Sequence, residues 1–470
     1  MLTAAVNKSN GLVLAALCLI TACSVAPNRY QAPIETPVAF SESGQGELLD
    51  HWWLSFNDPE LNRLIGTALQ QNLDLRVTFN RLEQAKAVAR KTGSELIPAI
   101  SGNSGINRIV DSSTTSQDAT RDNFNLGLAA SYELDLWGRI RAGTQAAELD
   151  MAASELDIQT AAIALTAEIA STWYQLIEQY KQLALLNQQI ETNTQNVDIV
   201  AARFRGGQAS VADLFQQSQV LEAVKGNKYT VIAAIDVLKN RLAILTGQAP
   251  TALTLDHFDR FPELPPLPAT GLTAELIQRR PDIQSAYKRL QAADLRIAAA
   301  IADRFPKISL SGSLDATAPD LQDFFNNWMA TLAGNLVIPL IDGGRRIAEV
   351  DRNKALTEEA LNRYGQQILT SLEEVENALS QERQQHKRLD SLKKQLRYLN
   401  EANNQIRMRY IYGAIDFLRV LTSQVNQQSL QRTVIQAERE LIAFRIALYR
   451  SLAGGWTLTQ PVDHRSQTDG

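Results

Sequence analysis

The sequence predicts a mainly helical chain, written twice, that carries four short β segments of the kind that cross a membrane. Three observations predict it. There are two long proline-free runs whose apolar residues recur at helical spacing, four segments in which apolar and polar residues alternate, and a set of motifs that returns 206 or 208 positions downstream.

The first long run, Arg139 to Phe204, steps by fours and threes through Ile169, Trp173, Leu176, Tyr180 and Leu183, then Ile190, Val197, Ala201 and Phe204. A period of about 3.5 residues keeps one seam facing neighbouring helices through many turns. At about 1.5 Å per residue such a helix is about 100 Å long, more than a compact domain can enclose. Asn187 and Thr194 interrupt the seam, and Gln and Asn crowd the other faces, so helices are expected on one side and water on another. A rod-like coiled coil would satisfy this run taken alone.

Composition removes several classes of function. The 470 residues are 45% hydrophobic and 21% charged, ordinary for folded protein, and 46 Lys plus Arg against 51 Asp plus Glu give a net charge of −5. No basic block points to nucleic acid. His51, His257, His386 and His464 are scattered and pair with no cysteine or carboxylate at metal-ligand spacing, so no metal and no cofactor are expected. No Ser/His/Asp set stands at useful spacing, and Gly343-Gly344 lacks the partners of a phosphate loop, which leaves an enzyme the least favoured reading and no residue cast as catalytic.

The amino terminus reads as a targeting segment. Lys8 precedes the apolar run Gly11 to Ile20, a signal-peptide core too short to span a bilayer, and Leu19-Ile20-Thr21-Ala22-Cys23 resembles the bacterial lipobox. Residues 1–22 are then a signal peptide and Cys23 the lipidated new terminus, its palmitate among the acyl chains; a signal peptide cut elsewhere, with Cys23 incidental, is the alternative. Cys18 would leave with the signal, so the mature chain would keep no thiol for a disulfide. Diacylglyceryl plus an N-acyl chain exceeds the two-signal threshold for stable anchoring. By resemblance to lipoprotein sorting, the non-acidic Ser24 directs the chain to the outer membrane.

Residues 23–50 form a polar, Pro-rich leader containing Pro27, Pro33 and Pro37, expected to lie extended over the surface. Asp58 before Pro59 reads as an N-cap, opening a helix that runs to about Ser94 with a break near Asn72. From Asp122 to Trp137 the even positions are Phe124, Leu126, Leu128, Ala130, Tyr132, Leu134 and Leu136, while the odd ones include Asn123, Asn125, Ser131, Glu133 and Asp135. Period two means a strand with one apolar and one wet face. Arg304 to Asp315 repeats it, and Leu96 to Val110 and Trp328 to Ile341 follow less cleanly. Each is long enough to cross a bilayer as a tilted strand of about 9 to 11 residues, although a half-buried sheet in a soluble domain has the same alternation.

Asp74, Arg81, Leu82, Ala85, Pro98, Ile100 and Ser101 return 208 places later as Asp282, Arg289, Leu290, Ala293, Pro306, Ile308 and Ser309. Gly138-Arg139 returns as Gly344-Arg345, and Arg203-Phe204 with Gly207 as Arg409-Tyr410 with Gly413, both offset by 206. Two structural units follow, 51–249 and 271–456, joined by a Pro-rich linker over 250–270 and ended by a polar tail, 457–470. The second long helix, Arg345 to Tyr412, carries Ile368, Leu372, Val375 and Leu379, then Leu389, Leu392, Leu396 and Leu399. Four strands cannot close a membrane barrel, whose smallest form has about eight, and lipid does not tolerate open edges. If the strands span a membrane, several copies must share one barrel, with the long helices continuing into the periplasm as a wet-lumened cylinder. That arrangement is a conduit.

Trp52 to Leu61, Tyr132-Glu133-Leu134-Asp135-Leu136-Trp137-Gly138-Arg139, Arg279-Arg280-Pro281-Asp282-Ile283, Phe305-Pro306-Lys307-Ile308-Ser309-Leu310, Pro339-Leu340-Ile341-Asp342-Gly343-Gly344-Arg345 and Leu452-Ala453-Gly454-Gly455-Trp456 together resemble the outer membrane factor family of TolC type, lipoprotein branch. The resemblance implies a homotrimer with a twelve-stranded β-barrel, four strands from each protomer, and an α-barrel of twelve periplasmic helices. It further implies passive export of substrates received from a periplasmic adaptor, or membrane fusion protein, and an inner-membrane transporter of the resistance-nodulation-division class. A structural coiled-coil lipoprotein of the outer membrane, without transport, explains the helices but leaves the alternation of Asp122 to Trp137 without purpose.

The resemblance also assigns sites. The two glycine turns become the periplasmic tip where adaptors dock, through Arg205, Gly206, Gly207, Gln208 and Ser210 in the first and Tyr412, Gly413 and Ala414 in the second. Asp213 takes the family's acidic gate position, and Tyr410 matches the tyrosine that can hydrogen-bond to it. The second repeat departs from the family: six and nine residues after the glycine stand Arg419 and Thr422 instead of carboxylates, and the nearest acid is Asp416. In place of an acidic ring, charge-assisted contacts among Asp213, Asp416 and Arg419 are expected to hold the tip closed, against the alternative of solvated charges on a surface helix.

Overall fold

A computed structural model describes residues 28, 30–111, 119–250, 252–255, 260–319, 323 and 326–452. Cys23, the signal peptide, the closing motif beyond Leu452 and the tail lie outside these residues. A 3-10 turn, Trp52–Phe56, leads into α1 (Pro59–Gln71) and α2 (Leu73–Gly93), followed by β1 (Ala99–Asp111), β2 (Ala119–Leu134), α3 (Arg139–Arg205) and α4 (Val211–Leu245). After the connection come α5 (Thr273–Arg279), α6 (Pro281–Ala302), β3 (Lys307–Ala318), β4 (Trp328–Val337), α7 (Arg345–Ile411) and α8 (Phe417–Leu452). The expected order of elements holds in both repeats. The long helices α3 and α7 each span 67 residues, one repeat apart.

The strand limits differ from the sequence reading for local reasons. β2 stops at Leu134 because the Asp135 carboxylate turns back to accept the N–H groups of Ile140 and Arg141 at 3.0 and 2.8 Å, capping α3. β4 ends at Val337, two residues before Pro339, which has no N–H to give a ladder. All four strands pair antiparallel in the order β1-β2-β3-β4. The register places Ile106 opposite Phe124, Leu128 opposite Leu314 and Leu310 opposite Gly334, so most of the large apolar residues share one face, with Met329 and Val337 of β4 on the other. The shared face is bare: Ile100 is 76% and Leu332 86% exposed. The other face carries Asn103, Asn123, Asn125, Ser309, Ser311 and Ser313, and Asn335 donates to Ser311 Oγ at 3.2 Å. Among the described residues, the outer edges of β1 and β4 have no strand neighbour.

The chain divides into two compact units, each drawing on both repeats. One holds the chain up to Glu35 with Asn80–Leu156 and Gln284–Gln366; the other holds Thr36–Phe79, Asp157–Ile283 and the residues from Gln367 onward. The boundaries fall inside α2, α3, α6 and α7. In the first unit the leader is pinned where Asp294 accepts from the Asn28 N–H at 2.9 Å and the Tyr30 hydroxyl at 2.7 Å. Burial, then the Asp294 carboxylate, pushes the Tyr30 phenol up to about 12. Pro33 fills the notch left by Gly365, where a Cβ would meet its ring at 2.8 Å.

In the second unit the leader continues extended, bridging Ala39 to Leu272 and Gly46 to Pro268. The aromatic anchor Trp52 stacks on Tyr449 at 5.6 Å, and Phe56 lies 5.6 Å from Tyr174. Asp58 caps α1 as predicted, accepting from the N–H groups of Glu60 and Leu61, while its second oxygen accepts the Trp173 indole N–H at 2.8 Å. The expected seam of α3 is buried at Ile169, Trp173 and Leu176. Beyond Leu183 it shifts by one residue onto Leu186, Gln189, Asn193 and Val200. The shift follows the hydrogen bonds of its amides: Asn193, 0% exposed, accepts from Gln217 at 3.0 Å and from Gln424 at 2.8 Å.

Duplication is visible in a hinge. At the break between α1 and α2, Asn72 accepts the Leu75 N–H at 2.8 Å and donates to the Leu245 carbonyl at 2.9 Å. One repeat on, Arg280 reaches the Ser451 carbonyl at 3.2 Å and forks onto Asp282 at 3.0 and 2.6 Å, with Glu374 at 2.7 Å. Burial pushes the Asp282 carboxyl up, but the guanidinium bonded to it outweighs burial and the net direction is down. Arg280→Met takes the guanidinium from the part-buried Asp282, while Glu374 keeps Arg450 at 3.4 Å, and is expected to lower stability by about 3 kcal/mol, read as an earlier loss of ellipticity on heating in detergent. Because the folded Asp282 is depressed, its contribution is present above the unfolded value of about 3.9 and is lost as pH falls through the lower folded value. Asp282→Asn should therefore flatten the acid limb of the stability profile.

Candidate functional site

The two helix-to-helix turns are built alike. In the first, the N–H groups of Gly206, Gly207 and Gln208 return to the carbonyls of Ala202, Phe204 and Arg203 at 3.1, 2.9 and 2.8 Å. In the second, Tyr412, Gly413 and Ala414 return to Met408, Tyr410 and Arg409 at 3.1, 3.0 and 2.8 Å. The last bond of each set is the six-to-one closure of a Schellman motif, which needs a left-handed residue. Gly207 and Gly413 supply it at φ 71° and 74°. Arg205, Gly206, Gly207, Gln208, Ser210, Tyr412, Gly413 and Ala414 are all exposed, Tyr412 at 78%. Phe204, Phe215, Ile411 and Leu418 add exposed apolar surface beside them.

The charged residues beyond the turns do something other than pair with each other. Ser210 and Asp213 form a capping box on α4: the Ser210 N–H donates to Asp213 at 2.9 Å, and the Asp213 N–H donates to Ser210 Oγ at 3.1 Å. Their repeat mates are Asp416 and Arg419, where Asp416 Oδ1 accepts the Arg419 N–H at 3.1 Å at the start of α8. Among the described residues no ion pair joins Asp213 or Asp416 to Arg419 within the protomer, because both carboxylates serve their own helix starts.

Tyr410 lies elsewhere, in a small core of Val200, Val220, Phe417 and Leu421 that ties the two turns together. Its ring is 5.7 Å from Phe417, and the Arg203 guanidinium stands 4.5 Å above its face. Sequence reasoning missed Arg203 and this core, since the contact crosses between α3 and α7 and no spacing encodes it.

Above the core, amides cross-link the helices. Gln189 donates to the Gln428 carbonyl at 3.2 Å and to Gln431 at 3.0 Å, and accepts from Arg432 at 2.9 Å. Asn196 donates to Gln424 at 2.8 Å and Asn403 to Gln427 at 2.7 Å. Burial pushes the Arg432 guanidinium down. Thr192, Asn196, Asn403, Gln424 and Gln428 are among the residues that line a polar cavity of about 230 Å³ here. The Gln and Asn that the sequence assigned to a wet face are thus partly internal. Among the described residues, no group of three His, Cys, Asp or Glu could hold a metal ion, and no helix is long and apolar enough to cross a membrane.

A duplicated set of long helical hairpins with an antiparallel sheet, bare on its apolar face, is the build of an outer membrane channel subunit. The chain belongs to the outer membrane efflux protein family, whose model matches residues 64–248 and 272–454. It is similar to the pyoverdine export outer membrane protein OpmQ of Pseudomonas aeruginosa, 30% identical over 96% of this chain and 98% of that one. Among solved structures it is similar to the outer-membrane channel OprN, with a TM-score of 0.84 and 31% identity over 92% of this chain and 100% of that one. CusC gives a TM-score of 0.82 at 26% identity over 92% and 100%. The expected tandem-repeat fold, outer-membrane location and export-channel class are therefore correct.

Removing the first cap with Ser210→Ala is expected to cost about 1 kcal/mol at the start of α4. Hydrogen exchange should quicken there and stay unchanged at the start of α8. Gly413→Ala forces a Cβ into the left-handed region at about 1 kcal/mol, and should raise proteolytic nicking at the second turn.

Proposed function

We propose that three copies of this chain close one twelve-stranded barrel and form the passive outer membrane duct of a tripartite export system. The observation that carries this reading is the sheet: its apolar face is bare and, among the described residues, both its edges end without a strand neighbour. Lipid tolerates the first and forbids the second, so neighbouring copies must supply the missing ladders. Cys23 is proposed as the lipidation site that tethers the mature chain. The exposed turn residues, from Arg205 to Ser210 and from Tyr412 to Ala414, are proposed as the docking face for a periplasmic adaptor, which links the duct to an inner-membrane transporter of the resistance-nodulation-division class. Asp213, Tyr410, Asp416 and Arg419 are proposed to line the constriction at that tip, with no chemistry carried out by the chain itself.

Reconstitution of purified protein tests this directly. An SDS-resistant species of about three chains that collapses on boiling, together with ion conductance in planar bilayers, is the expected result. A monomer without conductance would leave only a tethered coiled-coil lipoprotein. Cys23→Ser should abolish incorporation of labelled palmitate. Asp213→Ala combined with Tyr410→Leu should raise single-channel conductance, and unchanged conductance removes both residues from the constriction.

A further inference from the structure

We infer that Arg203 is the positioning residue of the closed tip, holding the Tyr410 ring by its face rather than by its hydroxyl. The inference rests on the reading of Tyr410 as part of the constriction. Its guanidinium lies 4.5 Å over the Tyr410 ring, the distance of a cation–π contact. Phe417, at 5.7 Å, backs the ring from another side. Val200 lies one helical turn before Arg203, and the core it shares with Val220, Phe417 and Leu421 draws on α3, α4 and α8, with Tyr410 from α7 packed against it. The ring is thus one of the pieces through which the two turns touch.

Two further observations separate this contact from ordinary surface packing. Arg203 Nε is buried and has no hydrogen-bond partner, and no carboxylate pairs with its guanidinium among the described residues. A buried donor left open is costly, so the side chain is held there by the ring and not by a better polar site. The repeats also differ at this point. Arg409 and Phe204 occupy the mirrored positions, yet Arg409 is exposed with no ring beneath it among the described residues, and Phe204 is 41% exposed. One of the two arginines is built into a lock and its mate is not.

An open donor beside a weak contact makes the lock releasable. A guanidinium that leaves the ring gains access for Nε to a hydrogen-bond acceptor that the held state denies it. Tyr410 would then be free to turn, and the tip to widen. Binding of such a group is favoured in proportion to its preference for the released state over the held one.

Single-channel recording in planar bilayers tests this, with heat-modifiable migration as the check on assembly. Tyr410→Leu and Arg203→Gln should each raise the open fraction about fivefold, the factor for a contact of about 1 kcal/mol, and the double variant should go no further. Arg203→Lys and Tyr410→Phe keep a cation over an aromatic face and should stay near the wild type, as should Arg409→Gln. An increase with Tyr410→Leu but none with Arg203→Gln overturns the role of Arg203 and leaves the constriction standing; so does an additive double variant. A Tyr410→Phe channel as open as Tyr410→Leu shows that the hydroxyl is the contact, and overturns the inference even where Arg203→Gln does not assemble. No change in either Tyr410→Leu or Arg203→Gln removes Tyr410 from the constriction altogether.

Discussion

The structure depends on a ladder of hydrogen bonds that one copy leaves unfinished. β1 and β4 each offer a row of backbone groups on an outer edge, and the face between them presents Ile100, Leu128, Leu314 and Leu332 to whatever surrounds the sheet. In water the apolar face is unfavourable, and in lipid the open edges are. No environment suits both features of a lone sheet. Closing the edges with further copies removes the conflict at once. In such a closed arrangement the helices that leave the strands would be brought alongside one another, so the proposed duct would follow from the sheet rather than from the helices.

Much of this was legible in the sequence because it depends on period. Alternation named the four strands and their apolar faces, and a spacing near 3.5 with no proline named both long helices to within a residue or two. Caps were legible for the same reason, since Asp58-Pro59 and the Asn72 break are local chemistry. What could not be read is what depends on residues distant in the chain. The lower seam of α3 moved from Ile190 and Val197 to Gln189 and Asn193 because Gln424 and Gln428 of α8 meet it there. An amide with a partner can be buried like leucine, and its partner is not written beside it. Asp213 and Asp416 show the same dependence on context, since within one protomer each carboxylate accepts an N–H at its own helix start.

The duplication gives each position a mate, and the mates show where the copies have taken on different work. Asn72 and Arg280 hold equivalent carbonyls, Leu245 and Ser451, but only Arg280 adds two carboxylates. Ser210 and Asp416 both start a helix after a glycine turn, but a capping box needs an acid at its third position, and the second repeat has Arg419 there. The backbone of the turn is unchanged, since Gly207 and Gly413 fix it. Geometry was kept while side-chain chemistry diverged.

That divergence bears on how the tip could move. The part of α3 around Ile169 to Ile177 packs with apolar side chains and a buried indole, a seam that resists sliding because every shift opens a void. From Gln189 to Asn196, between that stretch and the apolar core at Val200, the seam is made of Gln and Asn, each able to donate and accept, so a small shift exchanges one hydrogen bond for another of similar strength. The contacts of α3 thus resist sliding more up to Leu186 than they do from Gln189 to Asn196. The two glycine turns are joined by the small core of Val200, Val220, Phe417 and Leu421 and by Tyr410 under Arg203, so any relative movement of the turns has to loosen these contacts.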